Sequence, residues 1–263
     1  MKITLTGATG FVGGHLMKYL GGLGYEVDTI STKEFMKEDW RRLDDFGLEP
    51  AKLKFETAFT VEHTKPDIVI HCAWLRERDL HAQKHLEFAE LSCNFLQACK
   101  DRGIPVINLG SSSEYGVKDE PMKEDMICEP INTYGIAKLM VTLYAKKLGF
   151  NTLRLFTVTG KGGKSFMDIY KTAKKYSNPH DVRDYINVHF VNVAVQRLIH
   201  AQHIYGEIIN VGSGDETKNN NVLEYGGLYS DENIDEWHKY PQTQYELRHW
   251  SANTDKMKQL LNI

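Results

Sequence analysis

A serine cluster and a tyrosine–lysine pair are the residues of this chain whose types and spacing suit acid–base chemistry. The segment N-L-G-S-S-S-E-Y-G covers residues 108–116, and N-T-Y-G-I-A-K covers residues 132–138. Tyr134 and Lys138 are four residues apart, so on a helix they share one face. A nearby ammonium group stabilises a phenolate and lowers the pKa of a tyrosine from its reference value of about 10. Tyr134 is therefore a candidate general acid or base, and a serine hydroxyl at a strand end can hold a substrate carbonyl.

A glycine-rich turn lies at the start of the chain. The first predicted strand runs into T-G-A-T-G-F-V-G-G-H-L, residues 6–16, in which glycines recur at three-residue spacing. Because glycine lacks Cβ, it permits a tight strand-to-helix turn and the close approach of the backbone to a pyrophosphate, whose oxygens meet N–H groups at the helix N-terminus. The candidate cofactor contacts here are Gly7, Thr9, Gly10, Phe11, Val12 and Gly13. A tight turn that binds no ligand is the alternative.

The end of the second predicted strand carries hydroxyl groups and a lysine where dinucleotide-binding proteins commonly carry an acid. V-D-T-I-S-T-K covers residues 27–33 and ends in Ser31, Thr32 and Lys33, about 20 residues after the glycine turn. A carboxylate there accepts a hydrogen bond from the ribose 2′-OH and repels a 2′-phosphate, whereas hydroxyls and a lysine bind the phosphate. The end of the second predicted strand therefore favours NADP as the cofactor. NAD is the alternative, since Glu34 follows directly and its carboxylate reaches the ribose if it turns inward.

Strand-like and helix-like patterns alternate along most of the chain. The predicted strands cover residues 2–6, 26–30, 67–71, 106–109, 152–156, 185–188 and 208–211, and the predicted helices 13–20, 80–102, 132–148 and 191–203. This alternation predicts an α/β fold with a Rossmann-type, doubly wound parallel sheet. The pattern weakens after residue 157. We predict a dinucleotide-binding domain of residues 1–157 with 186–211, and a small, mostly C-terminal substrate-binding lobe of residues 158–185 with 212–263.

Composition excludes several classes of function. The 263 residues are 41% hydrophobic and 25% charged, with a net charge of −3 at pH 7, which is ordinary for a globular protein and gives no basic excess for nucleic acid. No apolar run has membrane length, and a strand that begins at Lys2 leaves no room for a signal peptide. The four cysteines form no CxxC pair, so we expect reduced thiols in a cytoplasmic protein. Among the histidines His71, His81, His85 and His189, the pair in H-A-Q-K-H (81–85) has no third ligand beside it, and the other two lie on different predicted elements, so we predict no metal site.

In their order along the chain, these segments resemble the extended short-chain dehydrogenase/reductases of the NAD-dependent epimerase/dehydratase type, which act on nucleotide sugars. The resemblance covers most of the chain. H-C-A-W (71–74) resembles the H-x-A-A strand end beside the cofactor, and G-S-S-S-E-Y-G resembles S-S-x-x-x-Y-G. L-R-L-F-T-V-T-G (153–160) resembles R-x-x-N-x-Y-G, R-D-Y-I-N-V (183–188) resembles R-D-F-I-H-V, and I-N-V-G-S-G (209–214) resembles I/Y-N-V-G-S-G.

The resemblance implies roles for individual residues. In that family the tyrosine protonates the substrate, the lysine orients the ribose and the tyrosine, and a Ser or Thr four residues before the tyrosine of Y-G binds the substrate oxygen, which selects Ser111. The implied catalytic set is Ser111, Tyr134 and Lys138, and further implied cofactor contacts are Cys72, Ala73, Trp74 and Leu109. The candidate substrate contacts are Ser112, Ser113, Thr157, Arg183 and Arg248. The two arginines are included because guanidinium binds phosphate through paired N–H groups, although for Arg248 a surface salt bridge is the alternative. The family also implies a homodimer built through a four-helix bundle from residues 80–102 and 132–148.

Departures from the family pattern narrow the reaction. The sugar dehydratases of this family carry Asp-Glu directly after the catalytic Thr, where this chain has Ser112 and Ser113, so water elimination is disfavoured. The epimerase–reductases that make GDP-fucose use a Cys and a His, and no cysteine lies near Ser111 in the sequence. Thr157 and Thr159 replace the Asn and Tyr of R-x-x-N-x-Y-G, which alters the floor of the substrate site. The form G-S-S-x-E-Y-G resembles reductases of 4-keto-6-deoxy nucleotide sugars.

Three functional hypotheses follow. The first is an NADP-dependent reductase of a nucleoside-diphosphate 4-keto-(6-deoxy)sugar, in which Tyr134 donates the proton, Ser111 polarises the carbonyl and Lys138 tunes Tyr134. The second is an NAD-dependent C4 epimerase of a nucleotide sugar, which uses the same three residues and retains its cofactor. The third is a non-catalytic dinucleotide-sensing protein, and the intact Ser–Tyr–Lys set counts against it.

Overall fold

The structure, a computed structural model, describes residues 1–30, 65–75, 77, 79–161, 182–201, 203–218 and 250–263. Its strands are β1 (Lys2–Thr6), β2 (Glu26–Ile30), β3 (Ile68–His71), β4 (Val106–Ser111), β5 (Asn151–Leu155), β6 (Thr157–Thr159), β7 (Val182–Arg183), β8 (Tyr185–Asn187), β9 (Ile208–Val211) and β10 (Thr217–Lys218). The helices are α1 (Phe11–Gly22), α2 (Lys84–Asp101), α3 (Thr133–Lys147), α4 (Val188–His200) and α5 (Asp255–Leu261), with a 3₁₀ turn at Ser112–Glu114.

Six of the described strands form one sheet in the order β2-β1-β3-β4-β5-β9. Every neighbouring pair in it is parallel. Helices cover both faces of the sheet, because two adjacent residues of β3 pack against different helices. Val69 of β3 packs with Phe95 of α2 and Val141 of α3, whereas the next residue, Ile70, packs with Leu16 of α1 on the opposite face. Successive strand side chains point to opposite faces, so the predicted doubly wound α/β sheet is confirmed.

The sheet brings the candidate segments to one edge. Strand β1 lies between β2 and β3, so the direction of chain progression reverses beside β1, and in open α/β sheets ligands bind in the crevice at such a reversal. The register aligns Thr6 with His71, and His71 with Asn108. The glycine turn after β1, the H-C-A-W segment after β3 and the serine cluster at the end of β4 therefore leave the sheet side by side.

Two small strand pairs and the last helix follow the main sheet. Strands β6 and β8 pair in parallel, and β7 and β10 pair antiparallel. In α5, Met257 and Leu261 pack in the same core as Ile209 of β9, so this helix lies against the sheet. The two-domain division stays a prediction, because residues 162–181 and 219–249 of the proposed lobe lie outside the described part of the chain.

Local hydrogen bonds explain where observed elements depart from the predicted ones. Helix α4 begins three residues before the predicted start at residue 191, because the Asn187 side chain caps it by accepting from the N–H of His189 at 2.8 Å. Strand β4 continues beyond its predicted end at residue 109 to Ser111, paired with Leu155 of β5.

None of the helices described here is both long and apolar enough to cross a lipid bilayer.

Candidate functional site

The turn between β1 and α1 depends on close backbone contacts that glycine permits. Gly7 has a φ of +74°, and a Cβ added there would lie 2.7 Å from Cα of Ala73. Gly13 packs directly on the Gly7 carbonyl oxygen, which also accepts from the N–H of Gly10 at 2.9 Å. Helix α1 then begins at Phe11 with no side-chain cap and no acidic residue in its first turn. A dinucleotide fits the N-terminus of α1, because no acidic or capping side chain of this turn competes with a diphosphate for the first N–H groups of the helix.

A hydrogen-bonded bridge joins the end of β1 to the segment that follows β3. The hydroxyl oxygen of Thr6 accepts from the N–H of Ala73 at 3.1 Å and lies 2.9 Å from Nδ1 of His71. Both Thr6 and His71 are buried. The bridge fixes Cys72 and Ala73 beside Gly7, so the structure brings together the segments in which cofactor contacts were predicted.

Ser111, the last residue of β4, is held by the 3₁₀ turn that follows. Its Oγ accepts from the N–H of Ser113 at 3.2 Å, while the carboxylate of Glu114 accepts from the N–H of Ser111 at 2.8 Å. These reciprocal bonds form a capping box, which fixes the backbone at both ends of the turn. Because Oγ serves the cap as an acceptor, its hydrogen is available to donate, and Ser111 is only partly buried.

Helix α3 carries Tyr134 in its first turn, next to the serine turn. The Asn132 side chain caps this helix by accepting from the N–H of Gly135 at 2.8 Å, and the N–H of Tyr134 donates to the carbonyl of Leu80 at 2.8 Å. A Cβ added to Gly135 would lie 2.5 Å from the carbonyl oxygen of Ser113. A larger residue at 135 would therefore push Tyr134 away from the serines.

The environment of Tyr134 keeps its phenol protonated. Burial raises the pKa of Tyr134 above its ordinary value, the hydrogen bond with the Ser111 side chain opposes that rise, and the Glu114 carboxylate adds to it. A protonated tyrosine near neutral pH can donate a proton to a substrate oxygen. The sequence predicted a lowered pKa through Lys138. In the structure the net direction is the opposite, because desolvation of the phenolate is the largest effect.

Lys138 lies one turn further along α3, on the same side as Tyr134. It is 8% exposed, and its Nζ donates to the carbonyl oxygen of Leu109 at 2.8 Å. The same nitrogen lies 4.1 Å from the centre of the Trp74 ring. Burial lowers the pKa of Lys138 to about 8, and the carboxylate of Glu114 opposes this fall. The amine is therefore poised to change its charge close to physiological pH.

A buried ion pair beneath the serine turn was not predicted from the sequence. Oε2 of Glu114 accepts from Nε of Arg154 at 2.7 Å, and the two side chains are 0% and 1% exposed. Oε1 accepts from the hydroxyl of Thr142 at 2.9 Å as well as from the N–H of Ser111. Gly110 makes room for this carboxylate, since a Cβ there would lie 2.6 Å from Oε1. Two features of the sequence hint at this pair: Glu114 is a charged residue in G-S-S-S-E-Y-G, and Arg154 is a charged residue in the otherwise apolar stretch L-R-L-F.

The predicted substrate contacts have different surroundings. Ser112 is 5% exposed, and its hydroxyl oxygen accepts from the indole N–H of Trp250 at 3.0 Å; its assignment to the substrate stays a prediction. The guanidinium of Arg183 lies 5.8 Å from the centre of the same indole ring. Thr157 is half-buried at the start of β6, where its N–H donates to the carbonyl of Asp184 at 3.0 Å. Ser31, Thr32, Lys33 and Arg248 lie outside the described residues.

The match to a known protein family covers most of the chain. Residues 3–212 match the NAD dependent epimerase/dehydratase family. The chain belongs to this family. Its predicted identification as an extended short-chain dehydrogenase/reductase of the epimerase/dehydratase type is therefore confirmed, and the family description names NAD as the cofactor on which these enzymes depend.

Three comparisons show how far the family likeness extends. The Bacillus subtilis (strain 168) protein described as an uncharacterized UDP-glucose epimerase, YtcB, is 22% identical over 264 residues, which cover 88% of this chain and 82% of the relative. The GDP-L-colitose synthase of Yersinia pseudotuberculosis is 33% identical over 135 residues, which cover 48% of this chain and 39% of the relative. A solved structure, MoeE5 in complex with UDP-glucuronic acid and NAD, has a TM-score of 0.78 at 20% identity and covers 100% of this chain and 93% of that chain. The similarity to MoeE5 shows that this chain shares its fold.

Asp184 in the epimerase/dehydratase motif R-D-Y-I-N-V has a structural role that the sequence analysis did not assign. Its carboxylate accepts from the N–H of Ser213 at 2.7 Å, from the Ser213 hydroxyl at 2.8 Å and from the N–H of Gly214 at 2.9 Å. It also accepts from the N–H of Ala252 at 3.1 Å. One buried side chain thus joins the turn after β9 to the C-terminal segment that carries Trp250.

Asn210 in the family motif I-N-V-G-S-G anchors the serine turn from the other side. Its amide oxygen accepts from the hydroxyl of Tyr115 at 2.8 Å, and its amide nitrogen donates to the carbonyl of Met122 at 2.8 Å. Tyr115 is fully buried, so this bond fixes the residue that directly follows Glu114. The side chains of Asp184 and Asn210 therefore hydrogen-bond within the protein and connect the segments around the serine turn.

Proposed function

We propose that the chain is an NADP-dependent reductase of a nucleoside-diphosphate 4-keto-(6-deoxy)sugar. The observation that carries this proposal is that Ser111 and a protonated Tyr134 offer two hydroxyl donors beside each other, while the neighbouring carboxylate, Glu114, is bound to Arg154. Two donors suit a carbonyl oxygen on which negative charge develops. Within the described part of the site, Glu114 is not free to take a proton from carbon, so the geometry favours carbonyl reduction over water elimination.

The side chains divide the proposed work between them. A bound nicotinamide dinucleotide supplies the hydride. Ser111 donates a hydrogen bond to the carbonyl oxygen and polarises it, and Tyr134 transfers its hydroxyl proton to the same oxygen as charge develops there. Lys138, with a pKa of about 8, is charged below that pH and stabilises the phenolate that Tyr134 becomes. The carbonyl of Leu109 keeps the Lys138 nitrogen at this edge of the sheet.

The residues proposed to hold the cofactor belong to three neighbouring strands, β1, β3 and β4, and the turns that follow them. The start of α1 suits the diphosphate, and the further proposed contacts are Ala73 and Trp74, after β3, and Leu109, in β4. The preference for NADP over NAD rests on the sequence S-T-K at 31–33, whose hydroxyls and ammonium suit a 2′-phosphate. NAD is the competing cofactor, since MoeE5, which shares the fold, binds NAD.

A C4 epimerase of a nucleotide sugar is the second candidate. The observation that favours it is the relative described as a UDP-glucose epimerase, which matches 88% of this chain. Such an enzyme uses the same three residues, but it needs Tyr134 first as a base. The raised pKa of Tyr134 counts against that first step. The epimerase predicts a retained cofactor and no net consumption of NADPH.

The exposed apolar surface of α2 and α3 supports a homodimer built through a four-helix bundle. Ile136, Met140 and Leu143 recur at helical spacing on α3 and are 47%, 38% and 53% exposed, and Leu91 of α2 is 53% exposed. Burying these side chains against a second copy would remove them from water. Light scattering on the wild type and on Leu143→Glu tests this part, with a dimer expected only for the wild type.

The experiment that tests the proposed reaction compares NADPH with NADH. Each is offered with UDP-, GDP-, CDP- and dTDP-linked 4-keto-6-deoxysugars, and the loss of reduced-cofactor absorbance is followed. Preferential oxidation of NADPH with one of these sugars supports the reductase and identifies its nucleotide. Absence of oxidation, together with NAD that co-purifies with the protein, contradicts the reductase and supports the epimerase. Cofactor binding without any turnover supports the non-catalytic alternative.

A further inference from the structure

Trp74 contacts both Lys138 and Tyr134, and it stands where the H-x-A-A pattern carries alanine. The Lys138 nitrogen lies 4.1 Å from the centre of the Trp74 ring. The ring centres of Trp74 and Tyr134 are 5.9 Å apart, with the planes at 84°. The indole therefore presents its face to a buried ammonium group and meets the phenol edge to face. The alanine of the family pattern has no side chain that reaches either group.

A buried histidine fixes the orientation of this indole. The N–H of Trp74 donates to Nδ1 of His85 at 3.3 Å, and Nε2 of His85 lies 3.0 Å from the carbonyl oxygen of Asp79. A carbonyl only accepts, so Nε2 carries the hydrogen and Nδ1 is left as the acceptor that the indole needs. His85 is 1% exposed, and its ring is nearly parallel to that of Trp74 at 14°. On another side, Phe88 packs at 5.4 Å between ring centres.

The indole compensates for water that the Lys138 ammonium has lost. An ammonium group has three N–H donors, and the described structure gives Lys138 one hydrogen bond, to Leu109. An aromatic face attracts a cation through its quadrupole, and the attraction grows when the cation is desolvated. The titratable groups that act on Lys138 from other elements are Glu114, in the 3₁₀ turn, and Cys72 and His71, at the end of β3. Of these, Glu114 raises the pKa of Lys138 and so favours the charged amine, and burial keeps His71 neutral.

We propose that Trp74, oriented by His85, is a positioning residue whose indole face holds Lys138 charged and in place beside Tyr134 before any cofactor binds. This inference rests on the catalytic role proposed for Lys138. It gives the tryptophan of H-C-A-W a function that a small residue cannot supply. It also explains why the chain buries His85, a polar side chain, directly beside Trp74.

The test measures the ionisation of Lys138 in the protein without cofactor or substrate. Protein labelled with ¹³C-lysine is titrated by NMR, and the Lys138 Cε signal is assigned by its loss in Lys138→Met. The wild type is expected to titrate at about 8, with its Hε protons shifted upfield by the ring current of Trp74. Trp74→Leu keeps an apolar neighbour but removes the aromatic face, so the Lys138 pKa is expected to fall by about one unit. Trp74→Phe keeps a weaker face, so a fall of about half a unit is expected.

Phe88→Leu is the matched control. It removes an aromatic ring that touches Trp74 but not Lys138, so the Lys138 pKa and the ring-current shift are expected to stay at their wild-type values. An unchanged Lys138 pKa in Trp74→Leu overturns the proposal, and so does a rise, which entry of water would cause. Should Trp74→Leu fail to fold, Trp74→Phe decides in the same way. Because no sugar is turned over, this result is independent of whether the reductase assignment holds, which Tyr134→Phe tests separately.

Discussion

Replacing Glu114 by Gln tests whether the buried ion pair holds the serine turn together. The amide oxygen of Gln can still accept from the N–H of Ser111 and from the hydroxyl of Thr142, so those two bonds are retained. The amide nitrogen then faces Nε of Arg154, a donor against a donor. Arg154 is 1% exposed and is left as a buried charge without its carboxylate.

The expected loss of stability is large. Removing one partner of a buried ion pair costs ~3–5 kcal/mol, against a total unfolding free energy of ~5–15 kcal/mol for a folded domain. For a chain of this size the loss corresponds to a fall in Tm of about 10 °C. Glu114→Gln combined with Arg154→Gln lets one amide donate to the other and removes both charges. We expect this double variant to lie within about 2 kcal/mol of the wild type.

Urea denaturation followed by circular dichroism measures these free energies. Glu129→Gln is the matched control, because Glu129 pairs with Lys118 at 2.8 Å while its side chain is 72% exposed. Exposed ion pairs contribute little to stability, so its transition midpoint should stay at the wild-type value. The reasoning is refuted if Glu114→Gln behaves like that control, or if the double variant loses as much stability as the two single variants added together.

Three further predictions concern catalysis, cofactor binding and the fold. The kcat/KM of the wild type for NADPH should fall as pH rises through about 8, where Lys138 of the free enzyme loses its charge, and a profile of kcat/KM that stays flat well above that pH contradicts this role. Gly13→Ala places a Cβ against the Gly7 carbonyl oxygen, and at an overpacking cost of ~1–3 kcal/mol it should weaken cofactor binding about tenfold or more by calorimetry. Asp184→Asn replaces one of the two carboxylate oxygens that accept from four donors, and the loss of that acceptor should lower the unfolding free energy by ~1–3 kcal/mol. The matched change Asp215→Asn, at an exposed position, should leave the unfolding free energy unchanged.

Local patterns were enough to predict the sheet, whereas the choice of Ser111 for the proposed catalytic set came from the resemblance to the family. Short strand-like segments close to glycines predicted β1, β2 and β9 with their observed limits. Because parallel strands end at one edge, the turn after β1 and the serines at the end of β4 leave the sheet at the same edge. The spacing of Tyr134 and Lys138 then placed both side chains on the same side of α3. The sheet and the shared helix face of Tyr134 and Lys138 need only periodicity and the rules of parallel sheets.

Contacts between distant segments could not be predicted from the sequence. A charged side chain is buried only when a partner is present, and the sequence alone gave no means of pairing Glu114 with Arg154. The hydrogen bond from the Trp250 indole to the Ser112 hydroxyl joins residues far apart along the chain, and no local pattern predicts it. The pKa of Tyr134 was predicted from Lys138 alone, whereas burial, which depends on the whole fold, sets its direction.

The most direct test of the reductase assignment replaces one hydroxyl on α3. Tyr134→Phe removes the proposed proton donor, and general acid catalysis by one group contributes ~10²–10⁴-fold. Tyr144→Phe is the matched control on the same helix, since the Tyr144 hydroxyl donates to the Gln97 side chain at 2.7 Å, away from the serine turn. With the 4-keto sugar nucleotide that the wild type reduces, we predict that kcat for NADPH oxidation falls by that factor in Tyr134→Phe and is retained in Tyr144→Phe. Full turnover by Tyr134→Phe would contradict the account.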